Sequence, residues 1–408
     1  MSSEGGQWPL EPLGRLCQVS SGTTPSRAAG SRYFTHQGIP WVKTLDLNEG
    51  SLEATDESLT EVAVAETGVR VYPAQVVLLA MYGGWEQIGR TAILAVPAAV
   101  NQAISVLEVG SQLEPRYLLL ALQHGKPRWS RYAASTRKDP NITKSDVLEF
   151  GVLVPPLPVQ RRIVEVIDSF TEMERGIEAS ISKLRKVRRG ALMASMAAIA
   201  SEEPRAGWVR VPLKDIVPSV EYGVSEALDR DARGVPVLRM NNIRNGRIDA
   251  DELRYCPAPV PAKLFLRQGD VLFNRTNSME HIGKTAMWRD ELSSATFASY
   301  LVRLIPDLLR VTPEYLVEWL MHPLVRQRVR SISTVAVQQV NVNPSRLREL
   351  EIDLPIDLAE QRRIVAMLEA CDDQIERENE ELYKLRELKQ GLVDDLLSGR
   401  VAVSAVAA

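Results

Sequence analysis

Two long stretches of the chain repeat apolar residues at intervals of three and four. The first carries Ile163, Ile167, Phe170, Ile177, Ile181 and Leu184; the second carries Ile364, Leu368, Cys371, Ile375, Leu382, Leu385 and Leu392. Such a repeat of about 3.5 residues is the seam of a coiled coil. A helix of about 30 residues would run roughly 45 Å. The two ladders fall in register at an offset of 201 residues, so each helix is expected to pack against its twin rather than only on its own neighbourhood. Elsewhere the pattern changes to short β-type runs broken by turns: "VVLLAMY" (76–82), "TAILAV" (91–96), "GDVLFNR" (269–275) and "YLVRLIP" (300–306). One amphipathic helix, "PRYLLLALQH" (115–124) or "PEYLVEWLMH" (313–322), precedes a basic loop. The pattern predicts an α+β fold: two similar strand-rich domains, each followed by a long helix.

The duplication extends well beyond the helices. "QRRIV" occurs at 160–164 and 361–365, and "KLRKVRRG" (183–190) matches "KLRELKQG" (384–391). Upstream, "WPLEPLGRL" (8–16) matches "WVRVPLKDI" (208–216), "GIPWVKTLDLNEG" (38–50) matches "GVPVLRMNNIRNG" (234–246), and "PNIT" (140–143) loosely matches "VNVN" (340–343). A period this long is a gene-scale duplication, not a solenoid repeat. The expected boundaries are 1–155 for the first domain, 156–203 for the central helical segment, 204–355 for the second domain, 356–400 for the C-terminal helical segment and 401–408 for a flexible tail. Asp357 and Glu360 have capping-box spacing at the start of the second helix. Pro156 and Val159 stand there in the first copy, so its start rests on rigid prolines.

Composition narrows the functional classes. No apolar run in the 408 residues reaches the roughly 18–20 positions that span a bilayer, and "MSSEGGQWPL" has neither the charge nor the apolar stretch of a secretory signal. Cys17, Cys256 and Cys371 are far apart and in no CxxC, which fits a reducing cytoplasm. Net charge is −3, so any nucleic-acid site must be a local patch. Residues 205–350 hold 21 basic and 16 acidic residues, against 13 and 15 in residues 1–150.

The stretch "MEHIGKTA" (279–286) ends like a phosphate-binding loop. Its first-half partner, "GWEQIGRT" (84–91), has Arg90 in place of the lysine, whereas "SMEHIGKT" (278–285) has Lys284 but Ser278 where the first glycine belongs. Each is followed by a strand-like run, and a nucleotide-binding loop opens a helix. A glycine turn between strands, with one cation, is the better account. A methyltransferase motif is absent too: "VPPL" (154–157) and "DPNI" (139–142) each lack part of it. His36, His124, His281 and His322 have no metal-ligand spacing; the matched pair His124 and His322 suggests packing or capping. No catalytic group, metal site or cofactor is expected.

Basic, amide and aromatic groups remain as the candidate chemistry. "HGKPRWSRYAASTRK" (124–138) holds Lys126, Arg128, Trp129, Arg131, Arg137 and Lys138, and its counterpart "HPLVRQRVRSIS" (322–333) holds Arg326, Arg328 and Arg330. A basic segment at one place in both halves of an acidic chain suggests phosphate contact. "LRMNNIRNGR" (238–247) adds Arg239, Asn241, Asn242 and Arg244, and "FNRTNS" (273–278) adds Arg275 and Asn277. Arg and Asn read guanine and adenine edges through paired hydrogen bonds. The first-half match, "WVKTLDLNEG" (41–50), offers only Lys43. With Arg90 and Lys284, these complete the candidate DNA-binding set.

The chain resembles the specificity (S) subunit of Type I restriction-modification enzymes. The resemblance is carried by "DLPIDLAEQRRIVAMLEACDDQIERENEELYKLRELKQGL" and its looser copy "VPPLPVQRRIVEVIDSFTEMERGIEASISKLRKVRRGAL", by the domain starts and by the "IGRTA" and "IGKTA" turns. It implies two target-recognition domains, each reading one half of an asymmetric bipartite site in double-stranded DNA. It implies further that the helices pack antiparallel as a ruler between half-sites and dock two methyltransferase (M) subunits, that motor-nuclease (R) subunits join the complex, and that the subunit is cytoplasmic and non-catalytic. In the first copy Pro158 and Val159 replace the Ala-Glu of the pattern.

Overall fold

The computed structural model describes residues 8–133, 141–196, 203–335 and 339–400. The proposed tail, 401–408, lies outside them. Two compact units emerge: residues 1–178 with 380–408, and residues 179–379. The division falls within both long helices, Leu157–Ser195 and Leu358–Leu397, which are continuous across it. Each unit is therefore one domain together with a part of each helix.

The first unit opens with Leu10–Pro12, which pairs antiparallel with Gly151–Leu153 and so closes the domain from its two ends. One five-stranded sheet runs in the order Cys17–Ser21, Ile104–Val109, Val77–Ala80, Thr91–Leu94, Ser51–Leu52. In a second sheet Ala98–Val100 lies parallel to Ile39–Val42. The second unit repeats the plan. Trp208–Pro212 pairs with Glu351–Pro355. Ser219–Tyr222, Leu301–Ile305, Val271–Asn274 and Thr285–Met287 form the equivalent sheet, and Thr296–Phe297 lies parallel to Val235–Leu238. All four β-type runs picked out by the pattern are strands, and Pro115–His124 and Pro313–Met321 are the amphipathic helices.

Helix ends complete the domain cores. Ile163, Ile167, Leu396 and Leu397 join the first unit's main cluster; Leu192, Met196, Ile364, Val365 and Leu368 join the second's. Burying such aliphatic side chains stabilises each unit by about 1.5–3 kcal/mol per residue. Within each unit the two helical segments also bond to each other with opposite polarity. Lys389 Nζ donates to Glu174 at 3.1 Å, and Arg386 pairs with Glu178. In the second unit Ser180 pairs with Glu378 at 2.9 Å, and Arg188 with Asp372 at 2.7 Å. The helices thus pack both on their domains and on their twins. In place of the expected capping box, Asp357 caps the helix through the second residue, accepting from the Ala359 N–H at 2.8 Å, while Glu360 accepts from the Trp208 indole at 3.3 Å.

Candidate nucleic-acid interface

The "IGRT" and "IGKT" stretches are hairpin turns. Gly89 N–H donates to Ala80 O at 3.1 Å and Ala80 N–H to Arg90 O at 2.9 Å; Gly283 and Asn274, Asn274 and Lys284 repeat the pair at 2.9 and 2.8 Å. Both glycines have positive φ, +77° and +78°, a region that glycine enters without steric cost. There is no room for a Cβ either. One on Gly89 would sit 2.5 Å from Trp129, and one on Gly283 would sit 2.9 Å from Val329.

Those clashes place the basic segments directly behind the turns, so two features far apart in sequence meet in each unit. Arg326 donates from Nη2 to Glu280 O and Ile282 O, both at 2.9 Å, and Arg330 reaches Glu280 O at 3.4 Å. A second repeat ties the basic segment to the last strand. Arg128 Nη2 donates to Gly151 O at 3.0 Å, and Arg328 Nη1 donates to Glu351 O at 3.1 Å. Arg128 also lies 4.3 Å from the centre of the Phe150 ring. Burial holds the Arg128 and Arg326 pKa values below the usual arginine range, with the nearby Arg330 adding to the effect at Arg326.

Several candidates are therefore redirected inward. Trp129 is 1% exposed and stacks on Phe150 at 4.0 Å, so its ring belongs to the core. Asn242 is 2% exposed. Its oxygen accepts from Arg239 N–H at 2.9 Å and its amide donates to Asp249 O at 2.8 Å. The equivalent turn in the first unit uses Asp46, which accepts from Lys43 N–H at 2.7 Å. Arg239 donates to Glu252 O at 3.1 Å. Arg275 bonds Ser299 O at 3.2 Å and Asn341 Oδ1 at 3.1 Å. A pattern of Arg and Asn marks hydrogen-bonding capacity; here much of it is used to brace the loops.

The remaining candidates face solvent to differing degrees. Asn241 and Arg131 are exposed, and Arg90 and Lys284 half-buried, all without an ion pair among the described residues. Asn277 is half-buried and accepts from the Ser278 N–H at 2.8 Å. Arg244 pairs with Asp249 at 2.9 Å, Lys126 with Glu49 at 2.6 Å and Lys43 with Glu57 at 3.5 Å. Arg137 and Lys138 lie outside the described residues.

Sequence reasoning passed over the glutamine that opens the repeated "QRRIV". Gln160 and Gln361 are both fully buried. Each accepts one bond from and donates one to the loop before the amphipathic helix, and donates a second to the chain just before its own long helix. Recurrence at offset 201, one turn inside a helix, was the signal. His322 caps the helix Pro323–Ser331 by accepting from Leu324 N–H at 3.2 Å. His124, its counterpart, instead lies 3.4 Å from Asp394. Among the described residues no cluster of His, Cys, Asp and Glu could hold a metal ion, and no helix is long and apolar enough to cross a membrane.

Comparison with known proteins bears on this frame. The family model described as the Type I restriction modification DNA specificity domain matches twice, at residues 6–183 and 205–387. The putative type I restriction enzyme MjaX specificity subunit of Methanocaldococcus jannaschii is 31% identical over 194 residues, 47% of this chain and 45% of that protein, so the chain aligns with under half of that relative. The Escherichia coli K12 Type I restriction enzyme EcoKI specificity subunit is 20% identical over 97% of this chain and 89% of its own. Among solved structures, the Type I restriction-modification S subunit from M. genitalium superposes with a TM-score of 0.57 at 13% identity, covering 97% of this chain and 98% of that one. The HsdS subunit of Thermoanaerobacter tengcongensis gives 0.52 at 19%, covering 97% of both chains. At such identities the likeness establishes the fold.

Proposed function

The chain belongs to the Type I restriction modification DNA specificity family, and from that premise we propose that each of its domains reads one half of an asymmetric, bipartite site in double-stranded DNA. It is the specificity subunit of a Type I restriction-modification system, not a catalytic one, and acts with DNA and partner subunits. The partners in this reading are two methyltransferase (M) subunits docked on the long helices, and motor-nuclease (R) subunits. The helices set the gap between the half-sites. The setting for such a complex is the cytoplasm.

One observation carries the reading of unlike half-sites: the same frame recurs with different side chains at its outer positions. On the turn, Gly83 corresponds to Asn277 and Arg90 to Lys284. On the loop braced by Asp46 or Asn242, exposed Leu45 corresponds to exposed Asn241. A duplicated frame whose two copies carry unlike outer side chains supports a reading of unlike half-sites.

The test is methylome sequencing of cells with and without this chain, alongside its M subunit. An asymmetric bipartite motif should appear only with the chain. Deleting one heptad from each long helix should change the spacer and leave both half-sites unaltered. Methyl transfer by the purified chain alone, or a methylome that does not depend on it, would refute the reading.

A further inference from the structure

The duplicated turns present something their hydrogen bonding does not explain. Residues 81–90 and 275–284 have equal length and the same backbone bonds, including Ile88 N–H to Gly84 O at 3.0 Å and Ile282 N–H to Ser278 O at 2.9 Å. Ile88 and Ile282 are buried, 3% and 0% exposed, and anchor each turn from below. Three residues earlier both turns point a large apolar side chain into solvent: Trp85 is 53% exposed and Met279 is 44% exposed. Their equivalence follows from the matching bonds on either side. The turns are not loose loops that leave such residues out by default. Each is backed by a basic segment, and the second is held by Arg326 on two of its carbonyls. Each ends on a cation, Arg90 or Lys284, with no ion pair among the described residues.

An apolar side chain carried on a braced turn beside an uncommitted cation suits a nucleic acid. Aromatic rings stack on bases whatever the sequence, methionine is among the side chains that wedge between base steps, and the cation meets the flanking phosphate. Tyr82, 44% exposed, is a second exposed aromatic on the first turn, and the two together are still far smaller than the surface a stable protein interface buries. We propose that Trp85 and Met279 are equivalent apolar contacts to the bases of duplex DNA, one in each half-site, with Arg90 and Lys284 on neighbouring phosphates. The inference rests on the DNA-specificity reading above and assigns residues to it.

Tryptophan emission gives a direct readout, because Trp85 alone of the seven tryptophans is exposed. The probe is a duplex bearing the methylome-mapped site, added to the full chain assembled with its M subunit. DNA should shield the acrylamide-quenched emission, and Trp85→Ala should abolish that change. Trp85→Ala should weaken site binding roughly tenfold, the scale of losing one stacked base, with Trp85→Phe largely retaining it. Met279→Ala should weaken it severalfold, and each loss should be of similar size on the mapped and on a scrambled duplex, because stacking and wedging tolerate any base. Leu309→Ala, at 87% exposed, serves as an apolar control and should bind as the parent does. Binding of Trp85→Ala and Met279→Ala within twofold of the parent overturns the proposal. So does impaired assembly with the M subunit while DNA affinity is kept. If the parent complex itself fails to prefer the mapped duplex over a scrambled one, the DNA reading falls as a whole.

Discussion

Gln160 and Gln361, 201 positions apart, make the same three hydrogen bonds. Gln160 accepts from Glu114 N–H at 2.8 Å and donates to Gln112 O at 2.9 Å and Pro155 O at 2.8 Å. Gln361 accepts from Thr312 N–H and donates to Arg310 O and Pro355 O, all at 2.9 Å. One amide thus ties the start of each long helix to the loop before the amphipathic helix and to the end of the closing strand. Tyr117 and Tyr315 add a parallel tie, donating to Leu153 O at 2.9 Å and Asp353 O at 3.3 Å.

Gln160→Leu keeps the volume of that side chain and strips the bonds. An orphaned buried group costs about 1–3 kcal/mol, so a destabilisation of roughly 3 kcal/mol is expected in denaturant melts, and the same for Gln361→Leu. Glu at either site should be worse, since its carboxylate would face two carbonyls. A loss under about 0.5 kcal/mol, the range of an ordinary surface change, would mean that the amide does not hold the loop.

The paired ties of Arg128 to Gly151 O and Arg328 to Glu351 O change what substitution there should do. Arg128→Ala and Arg328→Ala should lower stability while leaving the salt dependence of DNA binding nearly intact. Arg131→Ala, Arg90→Ala and Lys284→Ala should each flatten the plot of log affinity against log salt by about one unit, as loss of one phosphate contact does. Slopes from filter binding between low and physiological salt decide it; a flatter slope for Arg128→Ala would return that residue to the interface.

What the chain's pattern revealed and what it hid differ in kind. Duplication, strand positions, amphipathic helices and heptads were all readable, because each depends on spacing along one element. "PNIT" and "VNVN" even align in space: Ile142 and Val342 N–H donate to Met81 and Arg275 O at 3.0 and 2.8 Å. The facing of Trp129, Asn242 and Arg275 was not readable. Whether an arginine or amide meets solvent or a nearby carbonyl is decided by loops that contact residues tens of positions away. Gln160 was hidden for the same reason, since its partners lie 46 and 48 positions upstream as well as beside it.

His322 links stability to pH. It is fully buried, its Nδ1 accepts from Leu324 N–H, and burial lowers its pKa from the ordinary 6.5. Protonation would cost the cap and place a charge in the core. The neutral form's contribution is complete above about pH 6.5, where the unfolded histidine is also neutral, and is lost as pH falls toward the lowered folded value. His322→Asn keeps a capping oxygen without the titration. The stability gap between parent and His322→Asn should therefore shift in favour of the variant between pH 7.5 and 5.5, read by thermal melts at matched ionic strength. A gap independent of pH would show that His322 titrates normally.

Arg188 offers the sharpest test of how a long helix is held to its domain. Its guanidinium bonds Asp372 on the other helix and Glu318 on the amphipathic helix, both at 2.7 Å. Glu318 is deeply buried, and burial raises its pKa even though Arg188 pulls the other way. Removing the cation leaves two carboxylates facing each other. Arg188→Ala should therefore destabilise by roughly 2–3 kcal/mol, below the 3–5 kcal/mol of a fully buried pair because Asp372 remains partly solvated. The defect should shrink in acid, because a carboxylate whose folded pKa is raised stabilises the fold below its unfolded value, near 4.5, and withdraws that stability as pH rises. Adding Glu318→Gln to Arg188→Ala should recover part of the loss at neutral pH, whereas Glu318→Gln in the parent should be neutral or mildly harmful. Lys389→Ala, which removes a single partner from Glu174, should cost less. A double-mutant cycle by denaturant unfolding measures the coupling, and strict additivity of Arg188→Ala with Glu318→Gln would show that the two side chains do not share a bond.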